Sequence, residues 1–163
     1  MRSSTIAGEG LFARAAIATG TVVSRLGGRL VTWPELQDML SNAAQQPGHP
    51  YIDTITVTDT LHLVVPPGRA NGKGNHSCDP NLWWVDAYTL AARRDIAVDE
   101  ELTNDYATST ASADFAMQCH CGSARCRKVV TGSDWQLTEL RDCYDRHWVP
   151  ALTALIDRNR SQS

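Results

Sequence analysis

The apolar positions in the first third of the chain come in short runs. Gly10-Leu11-Phe12-Ala13 and Thr21-Val22-Val23-Ser24-Arg25-Leu26 are compact, and Gly27-Gly28 interrupts the second, so both predict strands. Thr32-Trp33-Pro34-Glu35 has the form of a helix start, with threonine at the cap, proline in the first turn and glutamate three residues on. Leu36, Met39, Leu40 and Ala43 follow at i, i+3, i+4 and i+7, which predicts one helix, ended by Gln45-Gln46-Pro47-Gly48. From Ile52 to Val65 the pattern alternates about Thr58-Asp59-Thr60, two strands joined by a tight turn. Residues 69–74 carry nothing apolar larger than alanine and predict a loop or one irregular turn. Leu82 to Val85 and Thr89 to Ala92 form another strand pair. Near the C-terminus, Ser133-Asp134-Trp135-Gln136 repeats the capping pattern, and Leu137, Leu140, Tyr144 and Trp148 recur at helical spacing. Pro150 should kink that helix or start a new one, with Leu152, Leu155 and Ile156 as its apolar stripe. Many short strands, few helices and polar motifs in the connections predict a β-rich α+β fold.

The chain has 163 residues, 42% apolar and 20% charged, the profile of one compact globular domain with room for at most a small appendage. A net charge of −3 offers no basic stripe for a nucleic-acid backbone, so nucleic acid is not expected as a direct ligand. The slight acidity favours a basic peptide only weakly. No apolar run approaches the ~20 residues of a membrane span. Met1-Arg2-Ser3-Ser4-Thr5 leads into Gly-Glu-Gly rather than an apolar secretory segment, and the expectation is a cytoplasmic protein.

Three of the five cysteines fall in Cys119-His120-Cys121-Gly122-Ser123-Ala124-Arg125-Cys126-Arg127. Outside a secreted disulfide framework such crowding points to a metal, and zinc takes four thiolates or imidazoles in a tetrahedron. Cys119, Cys121 and Cys126 supply three. By residue type the fourth ligand could be Cys78, His120 or Cys143, although Cys143 lies on the apolar stripe of the last helix.

Ahead of that cluster stand Asn75-His76-Ser77-Cys78-Asp79-Pro80-Asn81 and Glu101-Leu102-Thr103-Asn104-Asp105-Tyr106, and near the start Gly8-Glu9-Gly10-Leu11-Phe12-Ala13. Together and in this order the strings closely resemble the signature of the SET-domain lysine methyltransferases, in a stand-alone, bacterial-looking form with a zinc-binding post-SET segment. The resemblance implies several small sheets, a core in which the two motif segments are threaded together like a knot, and a division into a SET domain (residues 5–118), a post-SET zinc segment (119–130) and a C-terminal helical extension (131–163). It implies that S-adenosylmethionine (SAM) is held by Glu9, Gly10, Asn75, His76 and Tyr106, that Tyr106 is the catalytic residue, and that Cys78 completes a structural zinc site with Cys119, Cys121 and Cys126. Tyr51 resembles a tyrosine lining the cofactor or lysine channel. Asp105 and Glu101 are expected to be structural, and His120 to stack on the adenine or face solvent.

The chain departs from the family's strings at two places. The usual Gly-Asn-x-x-Arg-Phe-x-Asn-His-Ser reads here with Arg69 for asparagine, Gly72 for arginine and Lys73 for phenylalanine. Asn104 stands where a phenylalanine or tyrosine usually governs how many methyls a lysine receives, and a smaller polar side chain should widen the channel. The expected activity is SAM-dependent methylation of a lysine in a protein or peptide. The alternatives are a SET-like binding module without turnover and a methyltransferase for a small-molecule amine. Methylation number and oligomeric state are not legible.

Overall fold

The computed structural model describes residues 1–48, 50 and 52–161. Short strands dominate it: β1 (Arg2–Ser3), β2 (Glu9–Phe12), β3 (Val22–Arg25) and β4 (Arg29–Thr32) come first. They are followed by helix α1 (Trp33–Gln45), then β5 (Thr54–Thr56) and β6 (Leu61–Val64). One 3-10 turn (Ala70–Lys73) leads into β7 (Asn75–His76), β8 (Leu82–Trp84), β9 (Thr89–Ala92) and β10 (Glu101–Asn104). The chain ends with β11 (Ala116–Gln118), β12 (Val129–Thr131), α2 (Thr138–Tyr144) and α3 (Pro150–Arg160). The strands form four small sheets, ordered β1-β2-β10-β7, β3-β9-β8, β4-β6-β5 and β11-β12. The β-rich α+β expectation therefore holds, with a C-terminal helix.

Local chemistry explains most of the elements. Helix α1 begins where Glu35 Oε2 reaches back to accept the Thr32 N–H at 2.7 Å, half of a capping box, and Pro34 sits in its first turn. The turn at residues 58–60 joins antiparallel β5 and β6, and β8 pairs with β9 as the alternation predicts. Strand β4 was not legible, because only Val31 of its four residues is buried and the segment runs straight into the helix cap.

The C-terminal segment departs from the pattern. Ser133 makes no side-chain cap; Asp134 instead accepts the Thr131 hydroxyl at 2.6 Å, and residues 134–136 form a single 3-10 turn. Helix α2 stops at Tyr144 because Asp145 takes φ +48°, and Pro150 begins a separate helix rather than bending the first. Trp148 and Val149 lie between the two and are buried. They join Trp135, Leu140, Tyr144, Leu152 and Ile156 in the same apolar core as Ile55, Trp84, Ile96 and Leu102.

The central sheet brings the motifs together. Strand β10 is antiparallel to β2, with Leu102 opposite Leu11, and parallel to β7, with Thr103 opposite Asn75 and Asn104 opposite His76. Beyond the ladder, the Ser77 N–H donates to the Asn104 carbonyl at 3.1 Å. A Cβ on Gly10 would run into the Glu101 carboxylate, so a larger residue there would displace the side chain that Asn75 holds.

Candidate active site and metal centre

The pairing of β7 with β10 delivers His76 and Tyr106 to one point. The Tyr106 N–H donates to His76 Nδ1 at 3.2 Å, so the proton of the neutral ring sits on Nε2, which faces Cys78 Sγ at 3.3 Å. His76 is 3% exposed, and burial, opposed by the Asp105 carboxylate, brings its pKa down to about 4. The imidazole is a neutral structural pin between the tyrosine backbone and the cysteine cluster. The Tyr106 hydroxyl donates to the Gly74 carbonyl at 2.8 Å, which fixes the ring from its other end.

Asn75 is wired to the N-terminal segment. Its Nδ2 donates to Glu101 Oε1 at 2.8 Å and to the carbonyls of Ala7 and Glu9 at 3.1 and 3.3 Å. Glu9 itself is exposed and pairs loosely with Lys73, 3.9 Å away. Asn104 is buried, and its Oδ1 lies 3.6 Å from where a Cβ on Gly74 would stand. Tyr51 is outside the described residues.

Tyr106 and Met117 form part of the wall of two cavities. The larger, about 630 Å³, is lined by Leu11, Leu82, Trp84, Leu90 and Leu102 among other apolar side chains, together with Asn104 and Asp53. Two of its wall residues, Ser24 and Trp84, carry buried polar atoms (Oγ and Nε1) without a hydrogen-bond partner among the described residues, which water or a ligand would satisfy. The smaller, about 110 Å³, is lined by Ala7, Asn75, His76, Cys119 and the exposed Gln118 and His120.

The thiols of Cys78, Cys119, Cys121 and Cys126 lie within 4.8 Å of one another, a set able to hold a metal ion. Among the described residues, neither His120 nor Cys143 belongs to it; Cys143 Sγ instead faces the Arg93 guanidinium at 3.2 Å. Backbone N–H groups already point at the sulfurs, from Arg127 to Cys78 at 3.3 Å and from Cys78 to Cys121 at 3.5 Å. Burial pushes the Cys78 and Cys119 thiols up. Burial also raises Cys121, but the Cys78 N–H and Ser123 outweigh it and bring that thiol to about 6.

Three residues beyond those expected hold the site. Asn81, inside the first string, is buried; its Nδ2 donates to Glu100 and to the Glu101 carbonyl, and its Oδ1 accepts the Thr103 N–H at 2.9 Å. Arg127, next to the last cysteine, and Tyr144, on α2, both donate to the buried Asp105 carboxylate. Asn81 and Arg127 stand in or beside the strings, but nothing in spacing assigns them partners.

The SET domain family matches residues 8–107. Over 147 residues, 82% of this chain and 6% of the relative, the chain is 30% identical to the Drosophila melanogaster protein named histone-lysine N-methyltransferase ash1. It is likewise 30% identical over 149 residues to the Arabidopsis thaliana histone-lysine N-methyltransferase ATX2, covering 80% of this chain and 13% of that one. The crystal structure of the methyltransferase domain of human histone-lysine N-methyltransferase SETMAR superposes with a TM-score of 0.61 at 25% identity, covering 74% of this chain and 53% of the other. The chain thus spans only a small part of the length of these two sequence relatives. With the two motif strings paired side by side, a tyrosine between two cavities and a match over most of its length, the chain belongs to the SET-domain family.

Proposed function

We propose that this domain transfers a methyl group from SAM to the side-chain amine of a lysine in a protein, and that its four cysteines hold one structural zinc. The observation that carries the reading is that Tyr106 lines both a small cavity beside Asn75 and His76 and a much larger, mostly apolar one. Such a reaction needs two ligands that enter separately and meet in line, away from water.

The residues around the small cavity fit the cofactor by chemistry. Outside its lining but next to Asn75, Glu9 and Lys73 are an exposed, oppositely charged pair suited to the two charges of an amino-acid group. The His120 ring on the exposed side offers a face for a nucleobase. When bound, SAM supplies an electrophilic methyl on a positive sulfonium.

The protein's part is positioning. The Tyr106 hydroxyl donates its proton to the Gly74 carbonyl, so towards the amine and the methyl C–H groups it would act as an acceptor. The apolar wall of the larger cavity disfavours an ammonium, which lowers the pKa of a bound lysine and frees its lone pair. No side chain need act as a strong base. The four thiols match zinc in number and type, and by joining Cys78 to the 119–126 segment the metal would clamp the C-terminal part against the motif core.

The test is transfer from isotope-labelled SAM into a cell lysate, with Tyr106→Phe in parallel. Label in a protein band only with the unmutated chain, and SAM affinity of the variant within a few-fold, supports the reading. Label confined to a small-molecule fraction would replace the protein acceptor with a free amine. No SAM binding by a folded, zinc-loaded protein would make the domain a binding module.

A further inference from the structure

One face of the β3-β9-β8 sheet carries two hydrogen-bonding groups that the described residues leave unmet. Ser24 stands opposite Leu90 across β3 and β9, and Trp84 stands opposite Leu90 across β8 and β9. Residues paired directly across a sheet share a face, so the three side chains form one row, roughly 10 Å from end to end at ~4.8 Å per strand. All three line the larger cavity. Ser24 Oγ and Trp84 Nε1, at the two ends of the row, are buried without a partner among the described residues, and the leucine between them has none to offer. Leu11 and Leu102, opposite each other on β2 and β10, line the same cavity from a second sheet.

A buried donor without a partner costs free energy that phenylalanine at position 84 would avoid. Trp84 is 1% exposed, so bulk solvent does not satisfy it. The cavity's volume of about 630 Å³ falls in the ~300–1,000 Å³ range of small-molecule sites. A lysine side chain, a four-carbon stem and one ammonium, leaves much of it unfilled.

The lining also sets the chemistry of an occupant. An indole N–H only donates, so the group that meets Trp84 must accept. No lysine, arginine or histidine stands among the described residues of the lining, and its charged side chains are Asp53 and Asp114. An anionic acceptor would therefore be buried without a counter-charge, whereas a neutral one is not penalised in this way. Leucines supply the surface between and opposite the two polar groups.

We propose that this cavity binds an uncharged, apolar small molecule whose carbonyl-type acceptor is held by Trp84 Nε1. The site is independent of the methyl-transfer reading, and its test contains neither SAM nor a peptide.

The experiment titrates the full chain by calorimetry with 2-acetylnaphthalene and with 2-isopropenylnaphthalene, which has a methylene in place of the carbonyl oxygen. The ketone should bind about tenfold more tightly, because only it satisfies the indole N–H. In nitrogen-15-labelled protein, with signals assigned from backbone connectivities, the Trp84 indole resonance should move on adding the ketone. Trp148 is an internal control: its Nε1 is also buried without a partner among the described residues, but it does not line the cavity, and its resonance should stay. Trp84→Phe should make the two compounds bind alike, and Ser24→Ala should keep the preference. No saturable binding of either compound, equal affinity for both in the unmutated protein, or a Trp84 resonance that stays in place would overturn the proposal. Loss of the preference in Ser24→Ala but not in Trp84→Phe would do so as well.

Discussion

Arg127 grips Asp105 with both ends of its guanidinium: Nη1 to Oδ2 and Nη2 to Oδ1, each at 2.7 Å. The pair ties the residue after the last cluster cysteine to the residue before the proposed catalytic tyrosine. Tyr144 adds a hydroxyl donor at 2.9 Å, and Asp134 lies 2.9 Å from Arg127 Nε, close enough for an ion pair though not aligned as a hydrogen bond. Breaking a buried pair from one side strands the other charge, at about 3–5 kcal/mol. Arg127→Ala should therefore lower unfolding stability by that amount in denaturant titration. Asp105→Asn added to it should recover part of the loss; a double variant no more stable than Arg127→Ala would show that the charge is not what matters.

Metal analysis should find about one zinc per chain, as the four-thiol set implies. Cys121→Ser should lose it together with several degrees of thermal stability. Because burial holds the Cys78 and Cys119 thiols protonated, loading must expel protons, and zinc affinity should fall as pH falls. Calorimetry in buffers of different ionisation enthalpy reads that release directly. Loading without proton release would contradict the thiolate site.

Acid sensitivity should come in part from Glu100. Its hydrogen bond from Arg94 outweighs burial and, with Asn81 and the Ala97 N–H, brings the carboxyl down to about 2. A carboxylate depressed in the fold contributes stability above its unfolded pKa of 4.5 and loses it as pH falls towards 2. Glu100→Gln should flatten the stability profile between those values and lower stability modestly at neutral pH, because the Arg94 pair is largely exposed. An unchanged slope would place the acid sensitivity elsewhere.

The C-terminal segment should behave as core rather than as an appendage. Leu152 is 1% exposed and packs in the same cluster as Trp84 and Leu102. Leu152→Ala should cost about 2–5 kcal/mol in unfolding stability. A cost below ~0.5 kcal/mol, the range of surface changes, would mean that the segment docks loosely.

The sequence carried the fold wherever a local rule was sufficient. The Thr32–Glu35 cap, the turn at residues 58–60 and the pair around residues 85–89 all depend on contacts within a few positions, and all are present. The helical spacing from Leu137 to Trp148 misled, because periodicity cannot register that Asp145 adopts a left-handed conformation or that Trp148 is buried outside a helix. At the site, the four clustered cysteines were legible from their strings. The partners of Asp105 were not, since Arg127 and Tyr144 lie 22 and 39 residues away and meet it only through tertiary packing.

Strand β10 lies between β2 and β7, hydrogen-bonded on both edges. Its residues leave the ribosome roughly ninety positions after β2 and some twenty-five after β7. Until they arrive, β2 is paired only with β1 and β7 with nothing in this sheet, and the loops to be closed are long. The motif core therefore cannot be complete until residues 101–104 have been made. A nascent chain halted before residue 101 would present two open strand edges and no site, which makes this interval the one in which the protein most needs protection from aggregation.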